Sequence, residues 1–211
     1  MLATQKLDSD HLKEHYTAAV TEEAAGQVLE DEDELDAEQQ LRRRLALAQL
    51  RHYPDPVLRM TAREVTEFTP ELEALVERMK QLMHDAHGVG LAANQVGIVQ
   101  RVFVFQRDAE EVLGVVNPVI SERGDQLETD DEGCLSMQGV TVPIERTVRL
   151  TLEGRDERGG ELRLELEGLP ARVVQHEVDH LDGTLIIDRT TDEARKAALA
   201  IVRPRPILAA S

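Results

Sequence analysis

The most informative segment of this sequence is Gln175-His176-Glu177-Val178-Asp179-His180. A spacing of four residues places His176 and His180 on one face of a helix, one turn apart, where two imidazoles can share a metal ion. Leu169 and Val173 precede His176 on the same face, so we expect that face to point into the protein. Two buried imidazoles need a partner, and a cation supplies one. The segment therefore predicts a metal site on a buried helix.

Glu177 lies about 100° around the predicted helix from His176. That position suits a carboxylate held at the rim of the metal site, where a general base belongs, and not a ligand. Without a metal, Glu177 would be an ordinary solvated glutamate, so its assignment depends on the site beside it.

The third metal ligand is predicted in the segment Glu132-Gly133-Cys134-Leu135-Ser136. A thiolate beside two neutral imidazoles suits zinc or ferrous iron and leaves a fourth position open for catalysis. Cys134 is the single cysteine of the chain, so neither an intramolecular disulfide nor a structural site of four cysteines can form. A lone free thiol also fits a reducing compartment. By itself Cys134 would be read as a core thiol, and the histidine pair reverses that interpretation.

A small-residue segment, Gly88-Val89-Gly90-Leu91-Ala92-Ala93-Asn94-Gln95, follows a predicted helix. Its two glycines allow a substrate to approach the backbone closely. Phosphate binding is the obvious alternative, but no Lys-Ser/Thr follows and the segment closes a helix instead of opening one. The Gln95 amide can donate to an oxyanion that develops during acyl transfer.

Helical and β-prone segments surround these motifs. Thr69-Pro70-Glu71 offers an N-cap and a proline at the first helical position, and apolar spacing continues the helix until Gly88. Predicted strands cover 101–105, 112–116 before Asn117-Pro118, 147–152 and the alternating leucines of 162–166, with a hairpin turn over 154–160; further helices are predicted over about 170–181 and 192–202. The pattern predicts an α+β fold, in which a mostly antiparallel sheet packs around a central metal-binding helix.

Composition divides the chain into three parts. Residues 1–40 contain twelve Asp or Glu and two Lys, a net of −10 out of −17 for the whole chain. We therefore predict an acidic, mobile or helical extension over 1–44, a catalytic domain over 45–190, and a C-terminal helix and tail over 191–211.

The charge and hydropathy of the chain argue against several classes of partner. A net charge of −17 does not favour binding to DNA or to anionic lipid. No run of about 18 apolar residues and no basic, apolar leader occurs, so we expect a cytoplasmic protein that does not span a membrane. The small basic end Arg203-Pro204-Arg205-Pro206 could touch ribosomal RNA, but two arginines are weak evidence for such contact.

The three motifs together resemble, in order and spacing, the signature motifs of the peptide deformylases. The resemblance runs from about Leu45 to Asp188 and includes Tyr53-Pro-Asp-Pro-Val-Leu58. Two features depart from the family pattern. Met137-Gln138-Gly139 stands where many members have an aliphatic residue and a proline, and Arg146 is only a possible counterpart of an arginine that binds the peptide backbone.

This resemblance implies hydrolysis of the formyl group from the N-terminal formyl-methionine of nascent polypeptides, with release of formate. It implies one divalent metal, usually ferrous iron, in a site that also accepts zinc, nickel or cobalt, and a transient association with the ribosome. Metal-bound hydroxide would attack the formyl carbon, with Glu177 as base and then as acid toward the leaving amine.

The resemblance also assigns roles to individual residues. Cys134, His176 and His180 correspond to the metal ligands and Glu177 to the general base, while Gln95 and the Leu135 N–H correspond to the oxyanion hole. The residues expected to hold the peptide or line the methionine pocket are Gly90, Glu132, Val89, Leu169 and Val173.

Two other functions are compatible with parts of the sequence. A His-Glu-x-x-His metallopeptidase would take its third ligand downstream, with Glu193 as the nearest candidate, but this leaves the Cys134 segment unexplained. A binding protein that has kept the fold and lost catalysis would use the acidic extension instead. Intact Glu177 and Gln95 argue against that second interpretation.

Overall fold

Four α-helices and seven strands are formed within residues 36–202, the part of the chain that this computed structural model describes. The helices are α1 (Ala37–Leu47), α2 (Pro70–Asp85), α3 (Leu169–Leu181) and α4 (Asp192–Ile201). The strands are β1 (Gly90–Ala92), β2 (Val102–Gln106), β3 (Val112–Arg123), β4 (Leu127–Gly133), β5 (Thr141–Thr147), β6 (Arg149–Arg155) and β7 (Glu161–Glu167). Most of the predicted extension and the basic segment 203–206 lie outside the described residues.

The strands form two antiparallel sheets. One has five strands in the order β1-β2-β3-β6-β7, and the other is the β4-β5 pair. Helix α3 contacts strands of both sheets and so lies between them. The predicted α+β fold, with a mostly antiparallel sheet around a central helix, is confirmed.

Helix α3 is almost entirely internal, since ten of its 13 residues are buried. Pro170 lies in its first turn, and Gly183, with φ of 72°, follows its C-cap. Because polar residues such as Gln175 are buried along with the apolar ones, each needs a hydrogen-bond partner inside the protein. This requirement shapes the site described below.

Helix α2 follows its predicted apolar periodicity, with Leu72, Val76, Met79, Leu82 and Met83 buried. Its ends differ from the prediction. The Thr69 side chain makes no capping hydrogen bond, and the helix ends at Asp85. His87, with φ of 55°, takes the left-handed position that Gly88 was expected to supply.

Strand β3 extends beyond its predicted end. It continues through Asn117-Pro118 to Arg123, with a shift of register between Val116 and Val119. Asn117 has φ of 52°, and its side chain exchanges two hydrogen bonds of 2.8 Å with the backbone of Val65. Asn-Pro therefore marks a bulge inside this strand, because the side chain fixes a conformation that ordinarily ends one.

Two strands around the Cys134 motif were not predicted as a pair. The predicted strand 147–152 is divided between the end of β5 and the beginning of β6, and the acidic strand β4 pairs with β5 in continuous register from Leu127 opposite Thr147 to Gly133 opposite Thr141. The hairpin predicted across 154–160 is present as the β6-β7 pair.

Strand β7 forms one outer edge of the five-stranded sheet. Its Leu166 is buried and its Leu162 and Leu164 are partly buried against the core. The alternating residues Glu161, Arg163, Glu165 and Glu167 are exposed. This edge therefore presents charge to solvent along its whole length.

Helix α1 crosses the predicted boundary between extension and catalytic domain. Asp36 caps it in a capping box with Gln39, and its last turn buries Ala46 and Leu47 in the same core cluster as α2. The predicted helix near the C-terminus is present as α4. Among the described helices, none is long and apolar enough to cross a membrane.

Candidate metal centre

Cys134, His176 and His180 meet in the interior. All three are buried, and their potential ligand atoms lie within 4.8 Å of one another. Cys134 follows directly after β4, whereas both histidines project from α3, and Cys134 Sγ lies 3.3 Å from His180 Nε2. The group is therefore assembled by packing of the β4-β5 pair against α3.

His176 has the hydrogen-bond pattern expected of an imidazole beside a cation. His176 Nδ1 lies 3.0 Å from Glu132 Oε2, which leaves His176 Nε2 as the atom available to a metal. Within the described residues, His176 Nε2 and His180 Nδ1 are buried without a hydrogen-bond partner. One thiolate and two imidazoles are ligands that zinc and ferrous iron accept, so the residues present fit a divalent ion.

Both histidine pKa values are shifted by this environment. Burial lowers the pKa of His176, but the neighbouring Cys134 sulfur and Glu132 carboxylate outweigh it and raise the pKa to about 10. Burial, followed by the positive charge of His176, lowers the pKa of His180 well below its usual value. Because a metal binds the unprotonated imidazole nitrogen, binding of a cation would compete with protonation of these histidines.

Glu132 lies behind His176, away from the space between the three ligand atoms. Its Oε1 accepts hydrogen bonds of 2.9 Å from Arg146 Nε and Arg172 Nη1, and its Oε2 accepts one of 3.0 Å from Arg146 Nη2. Burial raises the pKa of Glu132, but His176 and Arg146 lower it to about 2. Because Glu132 is 0% exposed and both oxygens are occupied, it does not have the position expected of a residue that holds a peptide.

Arg146 is similarly committed to the interior. In addition to Glu132, it donates from Nη1 to Asp179 Oδ2 at 2.5 Å, and only 7% of the residue is exposed. These contacts occupy its guanidinium, so the structure does not place Arg146 as a contact for the backbone of a substrate. The pKa of Arg146 is raised because the two carboxylates outweigh the effect of its burial.

Gln95 and Leu135 lie beside Cys134. Gln95 Oε1 accepts a hydrogen bond of 2.9 Å from the Ala92 N–H, which fixes the orientation of the amide. Its Nε2 then donates to Ser136 Oγ at 3.0 Å and lies 3.9 Å from Cys134 Sγ. The structure thus brings both predicted oxyanion-hole residues to the thiol.

The Glu177 carboxylate lies against the backbone of Gly90. A Cβ atom on Gly90 would overlap Glu177 Oε1 and would lie 2.8 Å from Val173 Cγ1. Glu177 is 0% exposed. The glycine at the start of β1 therefore provides the space that the predicted general base occupies.

The three residues predicted to line a methionine pocket share one apolar cluster. Val89 and Val173 are buried in it, and Leu169 packs against it while remaining partly exposed. In the segment Met137-Gln138-Gly139, which departs from the family pattern, Met137 is buried, whereas Gln138 and Gly139 are exposed. Glu193, the ligand expected of a metallopeptidase, is exposed in the first turn of α4 and is not a member of the Cys-His-His group.

Sequence reasoning missed two residues that support the site. Arg172 binds Glu132, and Asn94 Nδ2 donates to the backbone carbonyl of His180 at 2.5 Å. Arg172 precedes His176 by four residues, so a charged residue on the buried face of the helix was the available signal. Nothing in the spacing of Asn94 indicated its contact.

Comparisons with known proteins agree with this arrangement. The family model described as polypeptide deformylase matches residues 47–196. Peptide deformylase from Acidothermus cellulolyticus is 44% identical over 160 residues, which cover 75% of this chain and 87% of that protein. Peptide deformylase from Thermotoga neapolitana is 49% identical over 140 residues, covering 66% and 85%.

Solved structures show the same similarity. The peptide deformylase of Thermotoga maritima aligns with a TM-score of 0.65 at 46% identity, covering 67% of this chain and 96% of that one. The enzyme from Synechococcus elongatus, crystallised with actinonin, aligns with a TM-score of 0.68 at 38% identity, covering 74% and 90%. On the strength of the matched family model and these relatives, the chain belongs to the peptide deformylase family.

Proposed function

We propose that this protein is a metal-dependent peptide deformylase, which removes the formyl group from the formyl-methionine at the start of nascent polypeptides and releases formate. The observation that supports this function best is the buried group of Cys134, His176 and His180, with Glu177 and Gln95 in the same site. The family membership of the chain supports the same reaction.

Cys134, His176 and His180 would hold the metal. The ion would act as a Lewis acid that lowers the pKa of a coordinated water and polarises a carbonyl group. The ligand set suits Fe²⁺, Zn²⁺, Ni²⁺ or Co²⁺, and we propose Fe²⁺ as the native ion because that is what the resemblance implies.

Glu177 is the proton carrier in this proposal. Its buried carboxylate takes a proton from the attacking water and then delivers it to the leaving amine nitrogen, so that the formyl C–N bond breaks and a free amino terminus results. The limited space between Gly90 and Glu177 supports this role, since it restricts where the carboxylate can be.

Gln95 and the Leu135 N–H would stabilise the negative charge that develops on the formyl oxygen. The Gln95 amide is preorganised, because the Ala92 N–H fixes its oxygen and leaves the NH₂ group directed toward Ser136 and Cys134. Because these hydrogen-bond donors are already oriented, little free energy is needed to reorient them during the reaction.

The methionine side chain would lie against Val89, Leu169 and Val173, whose shared apolar cluster supports this assignment. The Gly90 carbonyl at the start of β1 would accept a hydrogen bond from the peptide. We also propose a cytoplasmic location and transient contact with the ribosome, because the substrates are nascent chains.

The experiment that tests this function measures formate release from formyl-Met-Ala under anaerobic conditions, with the metal content of each sample quantified. Wild type should release formate, while Glu177→Ala should keep its metal and lose activity by about 10²-fold or more. Glu193→Ala is the matched control, since this exposed glutamate should leave the rate unchanged.

Cys134→Ala separates this function from the metallopeptidase. The variant should lose metal binding if Cys134 is a ligand. A metal-loaded wild type that released no formate but cleaved internal peptide bonds would contradict the proposal, as would a Cys134→Ala variant that kept its metal while Glu193→Ala lost it. Absence of both activities would favour a binding protein.

A further inference from the structure

Arg172 is a charged residue on the buried face of α3. It precedes His176 by one helical turn, lies between Ala171 and Val173, and is only 6% exposed. Burial of a guanidinium requires an anionic partner and hydrogen-bond acceptors for its N–H groups. The hydrogen-bond partners of Arg172 therefore indicate its role.

The Arg172 side chain joins α3 to both strands of the β4-β5 pair. Its Nη1 donates to Glu132 Oε1 at 2.9 Å and to the carbonyl of Ile144 on β5 at 3.0 Å, and its Nη2 donates to the carbonyl of Glu128 on β4 at 2.9 Å. One planar group thus fixes three points on the sheet that leads into Cys134. The residue bridges the two parts of the chain that supply the candidate ligands.

Arg146 and Arg172, the two arginines beside Glu132, differ in their other ion pairs. Arg146 contacts Glu132 and also Asp179, which in turn contacts Arg189. Among the described residues, the ion pairs of Arg172 involve Glu132 alone. Both arginines thus neutralise Glu132, which accepts the hydrogen bond of His176 Nδ1, but only Arg146 also pairs with a second carboxylate within the described part of the chain.

We propose that Arg172 is a positioning residue for the metal centre. It orients the His176 ring through Glu132, and it holds α3, with its two histidines, at a fixed distance from the end of β4, where Cys134 follows. The inference rests on the proposed function in one respect, since it takes Cys134, His176 and His180 to be the metal ligands.

Two substitutions separate positioning from charge. Arg172→Lys keeps the positive charge, but one ammonium group cannot reproduce the planar fork that reaches Glu132 and two carbonyls. Arg172→Gln removes the charge and leaves Glu132 paired with Arg146. Arg149→Gln is the matched control, because Arg149 has an ion pair with Glu167 but its side chain is 70% exposed on β6.

The test uses each full-length protein loaded anaerobically with cobalt(II). The thiolate-to-cobalt charge-transfer band and the cobalt d–d bands report the geometry of the ligands, and the rate of cobalt loss to excess chelator reports how firmly they hold the ion. We expect Arg172→Gln to lose cobalt 10- to 100-fold faster than wild type with altered d–d bands. Arg172→Lys should be intermediate, and Arg149→Gln should match wild type.

Unchanged bands and a rate within about twofold of wild type in Arg172→Gln would overturn the proposal, provided that wild type has the charge-transfer band. Failure of both Arg172 variants to fold in the cobalt-loaded state would also overturn it, because Arg172 would then serve the fold alone. A wild type without the charge-transfer band would refute Cys134 as a ligand, and with it the proposed function.

Discussion

The Glu177 carboxylate lies in the space that a side chain at position 90 would need. Replacement of Gly90 by alanine would place Cβ on Glu177 Oε1 and 2.9 Å from Glu177 Cδ. We expect Gly90→Ala to displace the proposed general base, Glu177, and to lower formate release by about 10²-fold, with the metal content unchanged. Steady-state kinetics with metal analysis measures both quantities.

The control for this prediction is Gly124→Ala. A Cβ atom at Gly124 would come no closer than 3.3 Å to the Arg149 side chain, so this variant should retain the wild-type rate. A Gly90→Ala variant as active as wild type would show that the position of Glu177 does not depend on Gly90.

The pKa of Glu132 predicts how acid affects stability. Its folded pKa of about 2 lies below the ordinary value of 4.5, so the ionised carboxylate stabilises the fold above about pH 4.5, and that contribution is lost as the pH falls toward 2. The difference in free energy of unfolding between metal-free wild type and Glu132→Gln should therefore be constant above about pH 5 and should shrink as the pH falls from about 4.5 toward 2. Urea denaturation at several pH values measures it.

Glu145→Gln is the control, because Glu145 is exposed on β5. The difference in free energy of unfolding between Glu145→Gln and wild type should stay small at every pH measured. A difference for Glu132→Gln that does not vary with pH would contradict the depressed pKa.

At the scale of residues, the sequence predicted what local spacing can encode. His176 and His180 are four residues apart, so helical geometry alone brings them together. Glu132 and Arg172 are 40 positions apart, and their contact depends on how β4 packs against α3. Local spacing therefore indicated the two histidines, and the ligand chemistry of the single cysteine indicated Cys134. The contacts of Arg146 and Arg172 with Glu132 have no such local signal.

The end of α3 depends on Gly183. This residue has φ of 72°, and a Cβ atom there would lie 2.6 Å from the carbonyl oxygen of Arg59. Gly139 has the same φ, but nothing lies within 4 Å of the corresponding position. We expect Gly139→Ala to cost about 1 kcal/mol of stability from backbone conformation alone, and Gly183→Ala to cost at least about 2 kcal/mol more because of the clash.

Chemical denaturation of the two variants under identical metal loading gives this comparison. Equal losses of stability would show that the backbone around Arg59 moves aside freely, and that contact with Gly183 does not define the end of the helix.

At the scale of elements, periodicity predicted the helices better than the strands. The apolar residues of α2 and α3 recur at helical spacing, so both helices were found with small errors at their ends. Strand β4 has five exposed residues and a composition poor in β-formers, and its pairing with β5 supplies the reason for its conformation. Such pairing is invisible to a local pattern.

At the scale of the whole molecule, the acidic extension should be dispensable for chemistry on short substrates. Deletion of residues 1–35 leaves α1 and its contacts with the core intact. We expect the truncated protein to deformylate formyl-Met-Ala within about twofold of the wild-type rate, because Gln95, Cys134, His176, Glu177 and His180 all follow the deleted segment and lie within the described residues. A large loss of activity would assign the extension a role in catalysis.

A longer deletion, of residues 1–47, provides the contrast. It removes Ala46 and Leu47, which are 2% and 6% exposed in the core cluster with α2. The loss should destabilise the protein by about 2 to 5 kcal/mol, the range for removal of a large buried apolar side chain. Thermal unfolding would reveal it, and equal stability of the two truncations would place α1 outside the domain.

The family and the α+β architecture were predictable for the whole molecule, because three motifs in fixed order constrain much of the chain. The boundary near residue 45 was placed by a change of composition, and α1 runs across it. Amino-acid composition changes gradually along this helix, so it does not mark a sharp boundary. The first buried residue of the helix is Arg43. The division into extension, catalytic domain and tail remains a prediction.

The charged residues of the edge strand β7 affect whether unfolded chains can pair with this sheet. Deformylases act on nascent polypeptides, and any such chain with unpaired backbone N–H and C=O groups could add to an open sheet edge. Three glutamates and one arginine along β7 make that edge a poor template for such addition and for stacking of two copies of the enzyme. The fold can thus work among aggregation-prone polypeptides without itself becoming a seed for their assembly.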